Sequence, residues 1–132
     1  ELISEIENTV RELSDEGHDN IAKPLNAAVN DLKIASTWLL DNGAGSTDDG
    51  LAGATPYMRM FGTTVGGWLL AKSALTAHRN LIQGTENTAF MEAKITTTRF
   101  YVEQLLPQVH GLLPMVTSGA DTLYNIDAEN FR

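Results

Sequence analysis

The chain contains no cysteine, so it forms neither a disulfide nor a thiolate metal site. Cations are scarce: nine Lys and Arg stand against seventeen Asp and Glu, for a net charge of −8 and a pI near 4.7. That balance argues against nucleic-acid binding through phosphate neutralisation. No apolar run approaches the ~20 residues of a membrane span. The most apolar stretch is bracketed by Arg59 and Lys72, with only twelve residues between them. An initiator methionine and a basic-then-apolar leader are both missing, and the opening at Glu1 reads as a piece of something longer. A cysteine-free acidic chain suits the cytoplasm.

What is present is enough for one domain with a real core: 132 residues, 42% hydrophobic and 20% charged. Charge is uneven. Acids crowd Glu1 to Asp19 and the Asp48-Asp49 pair, whereas Arg59, Lys72, Arg79, Lys94 and Arg99 fall in the middle.

Periodicity predicts an all-α fold, an up-down bundle of about four helices occupying residues 1–132 as a single domain. Ile3, Ile6, Val10 and Leu13 mark a helix from about 2 to 16 that Gly17 can end. Leu25, Ala28, Leu32, Ala35 and Leu39 mark a second from about 21 to 40, with Pro24 in or near its first turn. "DNGAGSTDDGLAGAT", Asp41 to Thr55, has no apolar period and predicts a long, flexible, glycine-rich loop. Pro56 behind a Thr55 cap starts a third helix, with Phe61, Val65, Trp68, Leu75 and Ile82 on one face. A fourth carries Met91, Ile95, Thr98, Val102, Leu105, Val109, Leu112 and Val116, kinked at Pro107. Leu123, Tyr124, Ile126 and Phe131 are then available to pack back onto the bundle.

The third helix poses a problem, because Gly62, Gly66 and Gly67 each cost roughly 1 kcal/mol against alanine in a helix interior. A phosphate-binding loop needs Gly-x-x-x-x-Gly-Lys-Ser/Thr after a strand, and neither the lysine nor the strand is there. Close packing remains: Gly67, Ala71, Ala74 and Ala77 share one side of the helix, and Gly62 with Gly66 extends the smooth surface. No di-iron Glu-x-x-His pair, EF-hand or Gly-x-Ser-x-Gly elbow occurs. His18, His78 and His110 are scattered without a carboxylate at ligand spacing, so no metal is expected. Lys94 and Glu103 on the fourth helix are either solvated or paired with Tyr57 or Arg59 opposite. Trp38 lies off the main stripe of its helix and is a candidate interface anchor. Arg59, Lys72 and Arg99 are candidate docking cations, with solvated side chains as the simpler alternative.

Three segments also carry a resemblance: "ATPYMRMFGTTVGGWLLAKSA" (Ala54 to Ala74), "FMEAKITTTRFYVEQLLPQ" (Phe90 to Gln108) and "SGAD" (Ser118 to Asp121). In order and spacing the second half resembles the C-terminal helical domain of a group of bacterial acyl-CoA dehydrogenases. That group includes acetyl-CoA-dehydrogenase-like and 3-methylmercaptopropionyl-CoA dehydrogenases. The first half is similar by helical pattern. The resemblance implies a parent enzyme, often a homo-oligomer, that binds FAD and removes hydrogens from Cα and Cβ of an acyl-CoA. Its glutamate base and flavin-binding segments belong to a preceding dehydrogenase core and are absent from this chain. No catalytic residue carries over, and no FAD is expected on this piece. The implied role is an appended, non-catalytic bundle that serves assembly or shields the acyl-CoA site. A free-standing helical interaction module is the alternative.

Overall fold

A computed structural model describes residues 1–131, and every regular element among them is helical. Helix α1 spans Leu2–Asp15 and α2 spans Asp19–Trp38. A π-helical turn, Leu39–Gly43, leads to the short α3, Thr47–Ala52. Then come α4 (Ala54–Gln83), α5 (Thr88–Gln104), α6 (Gln108–Thr117) and α7 (Asp121–Tyr124), followed by a 3-10 turn, Ala128–Asn130.

Helix α1 buries Ile6, Thr9 and Leu13 on one face, with Leu2, Ile3 and Val10 at the margin of the core. Gly17 ends it at φ +85°, a left-handed conformation that costs glycine little. The His18 N–H then reaches the Leu13 carbonyl (2.7 Å) and the Gly17 N–H the Ser14 carbonyl (3.1 Å), the paired bonds of a Schellman cap. Helix α2 is the central rod, touching α1, α4, α5 and α6. It buries Ile21, Ala22, Leu25, Ala28, Val29, Leu32 and Ala35. It starts two residues earlier than its pattern suggests, so Pro24 lies in the second turn, where it removes one ladder bond.

Several expectations need correction. The Asp41–Thr55 segment is not a long loop. Ser46 Oγ accepts the Asp49 N–H at 3.3 Å and starts α3, while α4 begins at Ala54 behind Gly53, placing Thr55 and Pro56 inside its first turn. The glycines there serve contact: a Cβ on Gly43 would meet Gly50 Cα at 3.3 Å, and one on Gly53 would meet the Val116 carbonyl oxygen at 2.9 Å. The predicted fourth helix is two helices, because the chain breaks at Leu105–Pro107. There the Leu105 and Leu106 N–H groups share the Tyr101 carbonyl (2.9 Å each), and Leu106 turns into the core while Leu105 turns out. Finally, Leu123, Tyr124, Ile126 and Phe131 do not pack back onto the bundle but are 53–72% exposed.

The buried face of α4 is Met60, Thr64, Gly67, Trp68, Ala71, Ala74, Leu75 and Ala77. It is rotated from the predicted stripe, so that Phe61 and Val65 sit at the edge and Ile82 faces solvent. Below it, Trp68 Nε1 donates to Thr9 Oγ1 (2.8 Å), which donates in turn to the Glu5 carbonyl (3.2 Å). Among the described residues the buried polar side chains are all threonines: Thr9, Thr64 and Thr98.

Candidate docking surface

Helices α4 and α5 meet where α4 is smoothest. A Cβ added at Gly67 would come within 3.2 Å of Leu106 Cδ1 and 3.3 Å of Tyr101 Cε1, and one at Gly66 within 2.7 Å of Tyr101 Oη. The absent side chains let α5 reach α4's backbone. Tyr101 Oη donates to the Thr63 carbonyl (2.8 Å), and Thr98 Oγ1 lies 3.0 Å from the Leu70 carbonyl and 2.9 Å from that of Lys94. Burial raises the Tyr101 pKa, keeping the phenol a donor. Ala71 and Ala74 are fully buried on the same side. Gly62 departs from the expected seam: nothing lies within 4 Å of its Cβ position, and it is exposed.

Toward the far end of α4 the helices diverge into an open groove of about 330 Å³. Phe90, Met91 and Ala77 supply apolar surface, Asn80 donates its amide to Met91 Sδ (3.8 Å), and Lys72 and Lys94 stand at the rims. Lys72 Nζ lies 4.8 Å from the Trp68 ring centroid and Lys94 Nζ 5.4 Å from that of Phe90. No acidic residue lines the groove.

The candidate docking residues do not form one cluster. Trp38 is half-buried, packs against the core, and lines a separate groove of about 340 Å³ with Ile34, Lys33 and Asp41. Arg59 is exposed on α4. Arg99 pairs with Glu103 one turn along α5 (3.2 Å), so Glu103 meets neither Tyr57 nor Arg59, and Tyr57 instead bonds Ser36 (2.9 Å).

Sequence spacing gave no sign of two further pairings. His110 Nδ1 lies 2.6 Å from Asp31 Oδ2, joining α6 to α2. His18 and His78 stack at 3.8 Å between centroids, joining the α1–α2 turn to α4. Beside them Arg79 forks onto Glu16 (2.5–3.2 Å) and reaches Glu12 (2.8 Å). Among the described residues no three His, Cys, Asp or Glu side chains are grouped to hold a metal ion, and no helix is long and apolar enough to cross a membrane.

The histidine stack makes stability depend on pH. Burial, and then His18, holds the His78 pKa below its ordinary 6.5, opposed by Glu16. The unfolded chain therefore binds more protons just below that pH, and the contribution is complete above 6.5 and lost as pH falls from there through the lower folded-state value. Glu16 is held below 4.5, chiefly by its hydrogen bonds from Arg79, so its share persists above 4.5 and goes as pH falls further. Two successive drops in melting midpoint are expected on acidification. His78→Gln should flatten the first and leave the second; an unchanged pH profile would show that the stack is without effect.

The family described as acetyl-CoA dehydrogenase C-terminal like matches residues 2–127. A 72-residue stretch, 54% of this chain, is 32% identical to the 3-methylmercaptopropionyl-CoA dehydrogenase of Ruegeria pomeroyi, where it spans 12% of that protein. Helices packed through small residues, with threonines as the buried polar groups, thus accompany a match over nearly the whole length: the chain belongs to the acetyl-CoA dehydrogenase C-terminal-like family.

Proposed function

We propose that this chain is the helical domain appended to a FAD-dependent acyl-CoA dehydrogenase, which introduces a Cα–Cβ double bond into an acyl-CoA. On this reading the domain makes no bonds itself, and serves assembly or shields the active site of a cytoplasmic, homo-oligomeric enzyme. The observation that carries it is the family match over residues 2–127. Since the matched stretch is 12% of the Ruegeria protein, most of such a chain remains to hold the chemistry.

The residues present do not fit FAD. Two grooves, of about 330 and 340 Å³, are open and lie at the low end of the ~300–1,000 Å³ range of ligand pockets. The glycine-rich stretch offers no phosphate cradle either, because Gly43 and Gly50 pack against each other. Among the described residues the buried polar side chains are threonines and none is ionisable, which suits a packing role better than acid–base work.

Two measurements test this reading. The 132-residue chain, mixed with FAD and a short acyl-CoA, should show neither a bound-flavin spectrum nor dye reduction. A dehydrogenase lacking this domain should keep its flavin but dissociate, or leak electrons to oxygen. Acyl-CoA oxidation by the chain alone sinks the proposal, as does an untouched oligomer with unchanged oxygen reactivity after deletion.

A further inference from the structure

Two surfaces of this chain complement each other, yet lie at opposite ends of the same helix. The first is the segment Asp121–Phe131. It exposes Leu123, Tyr124, Ile126 and Phe131, and carries Asp121, Asp127 and Glu129 with no cation among these eleven residues. The second is the α4–α5 groove, with apolar surface from Ala77, Phe90 and Met91 beside the neutral Ser73, Thr76 and Asn80, lysine at both rims and without an acid in its lining. Among the described residues neither Lys72 nor Lys94 has a carboxylate at ion-pair distance.

One molecule cannot join the two. The acidic segment leaves the bundle at the start of α4, where Asp49 Oδ1 accepts the Ala120 N–H (2.7 Å) and the Val116 carbonyl abuts Gly53. The groove begins some eighteen residues along α4, roughly 30 Å away at ~1.5 Å per residue. Helical turns at Asp121–Tyr124 and Ala128–Asn130 shorten the segment well below that span.

An uncovered face of α4 connects the two ends. At 3.6 residues per turn, Met58, Gly62, Val65, Leu69, Ser73 and Thr76 fall along one line. Met58 and Leu69 are exposed, Val65 is half-buried, and Gly62 has open space above it. Within one copy nothing offsets the helix-propensity cost of that glycine. The line is self-complementary about a point between Gly62 and Val65. In an antiparallel pair, Met58 of one copy meets Leu69 of the other, and Gly62 meets Val65.

We propose that two copies of this chain pair antiparallel along this face of α4, each laying its Asp121–Phe131 segment into the other's α4–α5 groove. The arrangement is isologous and closes with two copies. Asp127 and Glu129 approach the lysine rims, Leu123, Tyr124 and Ile126 cover Phe90 and Met91, and Gly62 lets the two helices approach closely. This pairing does not depend on the dehydrogenase reading, and a failure of either leaves the other standing.

The absence of native cysteine makes the test clean. Light scattering and sedimentation equilibrium of the 132-residue chain, at up to the order of 100 µM, should show a dimer. Lys72→Glu with Lys94→Glu should weaken it by about tenfold or more, as should Asp127→Lys with Glu129→Lys. Combining all four reversals should restore it, which also excludes misfolding as the cause of the loss. Under oxidation, Ser73→Cys mixed with a differently tagged Ile126→Cys should give a covalent heterodimer. A monomer at every concentration overturns the proposal. So does a dimer indifferent to the charge reversals and their combination, or one in which the mixed disulfide never forms.

Discussion

Trp68→Ala is expected to lower the unfolding free energy by on the order of 3–5 kcal/mol, the usual loss for an aromatic side chain removed from a core. Trp68 is 9% exposed and packs in the main hydrophobic cluster beside α1. Its Nε1 holds Thr9 Oγ1 at 2.8 Å, linking α4 to α1, two helices that otherwise touch only lightly. Trp68→Phe separates the two contributions. It keeps most of the ring packing while removing the hydrogen bond, and should cost a further-reduced amount, about 1–2 kcal/mol. Urea unfolding of the three proteins decides the matter. If the alanine variant loses less than about 1 kcal/mol, Trp68 is not the anchor its burial indicates.

The same Gly→Ala change should act with opposite sign at two places. At Gly53 the new Cβ would sit 2.9 Å from the Val116 carbonyl oxygen and 3.4 Å from Val116 Cα. Both are backbone atoms, so the start of α4 must separate from α6, at a cost of about 1–3 kcal/mol. At Gly111, within α6, nothing lies within 4 Å of the Cβ position. There the substitution should stabilise by up to about 1 kcal/mol through helix propensity and a less mobile unfolded chain. Thermal melts of the two variants provide the check. A rise in both midpoints would mean that the α3–α4 junction relaxes freely around Val116, contrary to the close approach described.

The long helices were legible in sequence because burial on one side imposes a period on them. Ile6 and Leu13, or Leu25, Ala28, Leu32 and Ala35, repeat because a single stripe of each helix meets the core. On α4 the buried stripe keeps its period but is written largely in small or polar residues, Thr64, Gly67, Ala71, Ala74 and Ala77 among Met60, Trp68 and Leu75, so large apolar residues alone do not trace it. Its stripe was therefore misplaced by part of a turn. Residues 41–55 misled for a related reason. Their glycines signal backbone contact, which resembles flexibility when only composition is visible, and the informative clue was the serine three residues before Asp49. The break at Pro107 was visible as a local defect, but whether a defect bends or splits a helix is decided by what surrounds it. Here burial of Leu106 favours the split. On the docking side, the two groove lysines were legible as unbalanced charge, whereas the histidine stack and the Asp31–His110 contact join residues sixty or more apart and leave no pattern in the chain.

The Tyr101 and Thr98 bonds to the carbonyls of Thr63 and Leu70 determine how the domain can deform. Side chains packed without directional bonds can slide past one another by small steps. Two hydroxyls seated on particular carbonyls cannot, since a shift by one helical turn would break both at once. Shear between α4 and α5 is thereby suppressed, and the pair behaves as one stiff lever. Bending is left to the short connections at the two ends of α5, the turn after Gln83 and the break at Leu105–Pro107, which among the described residues no hydroxyl ties to an α4 carbonyl and which are the places for a hinge. A force applied to the groove between α4 and α5 is thus carried along the length of α4 to α3 and α6 at its other end.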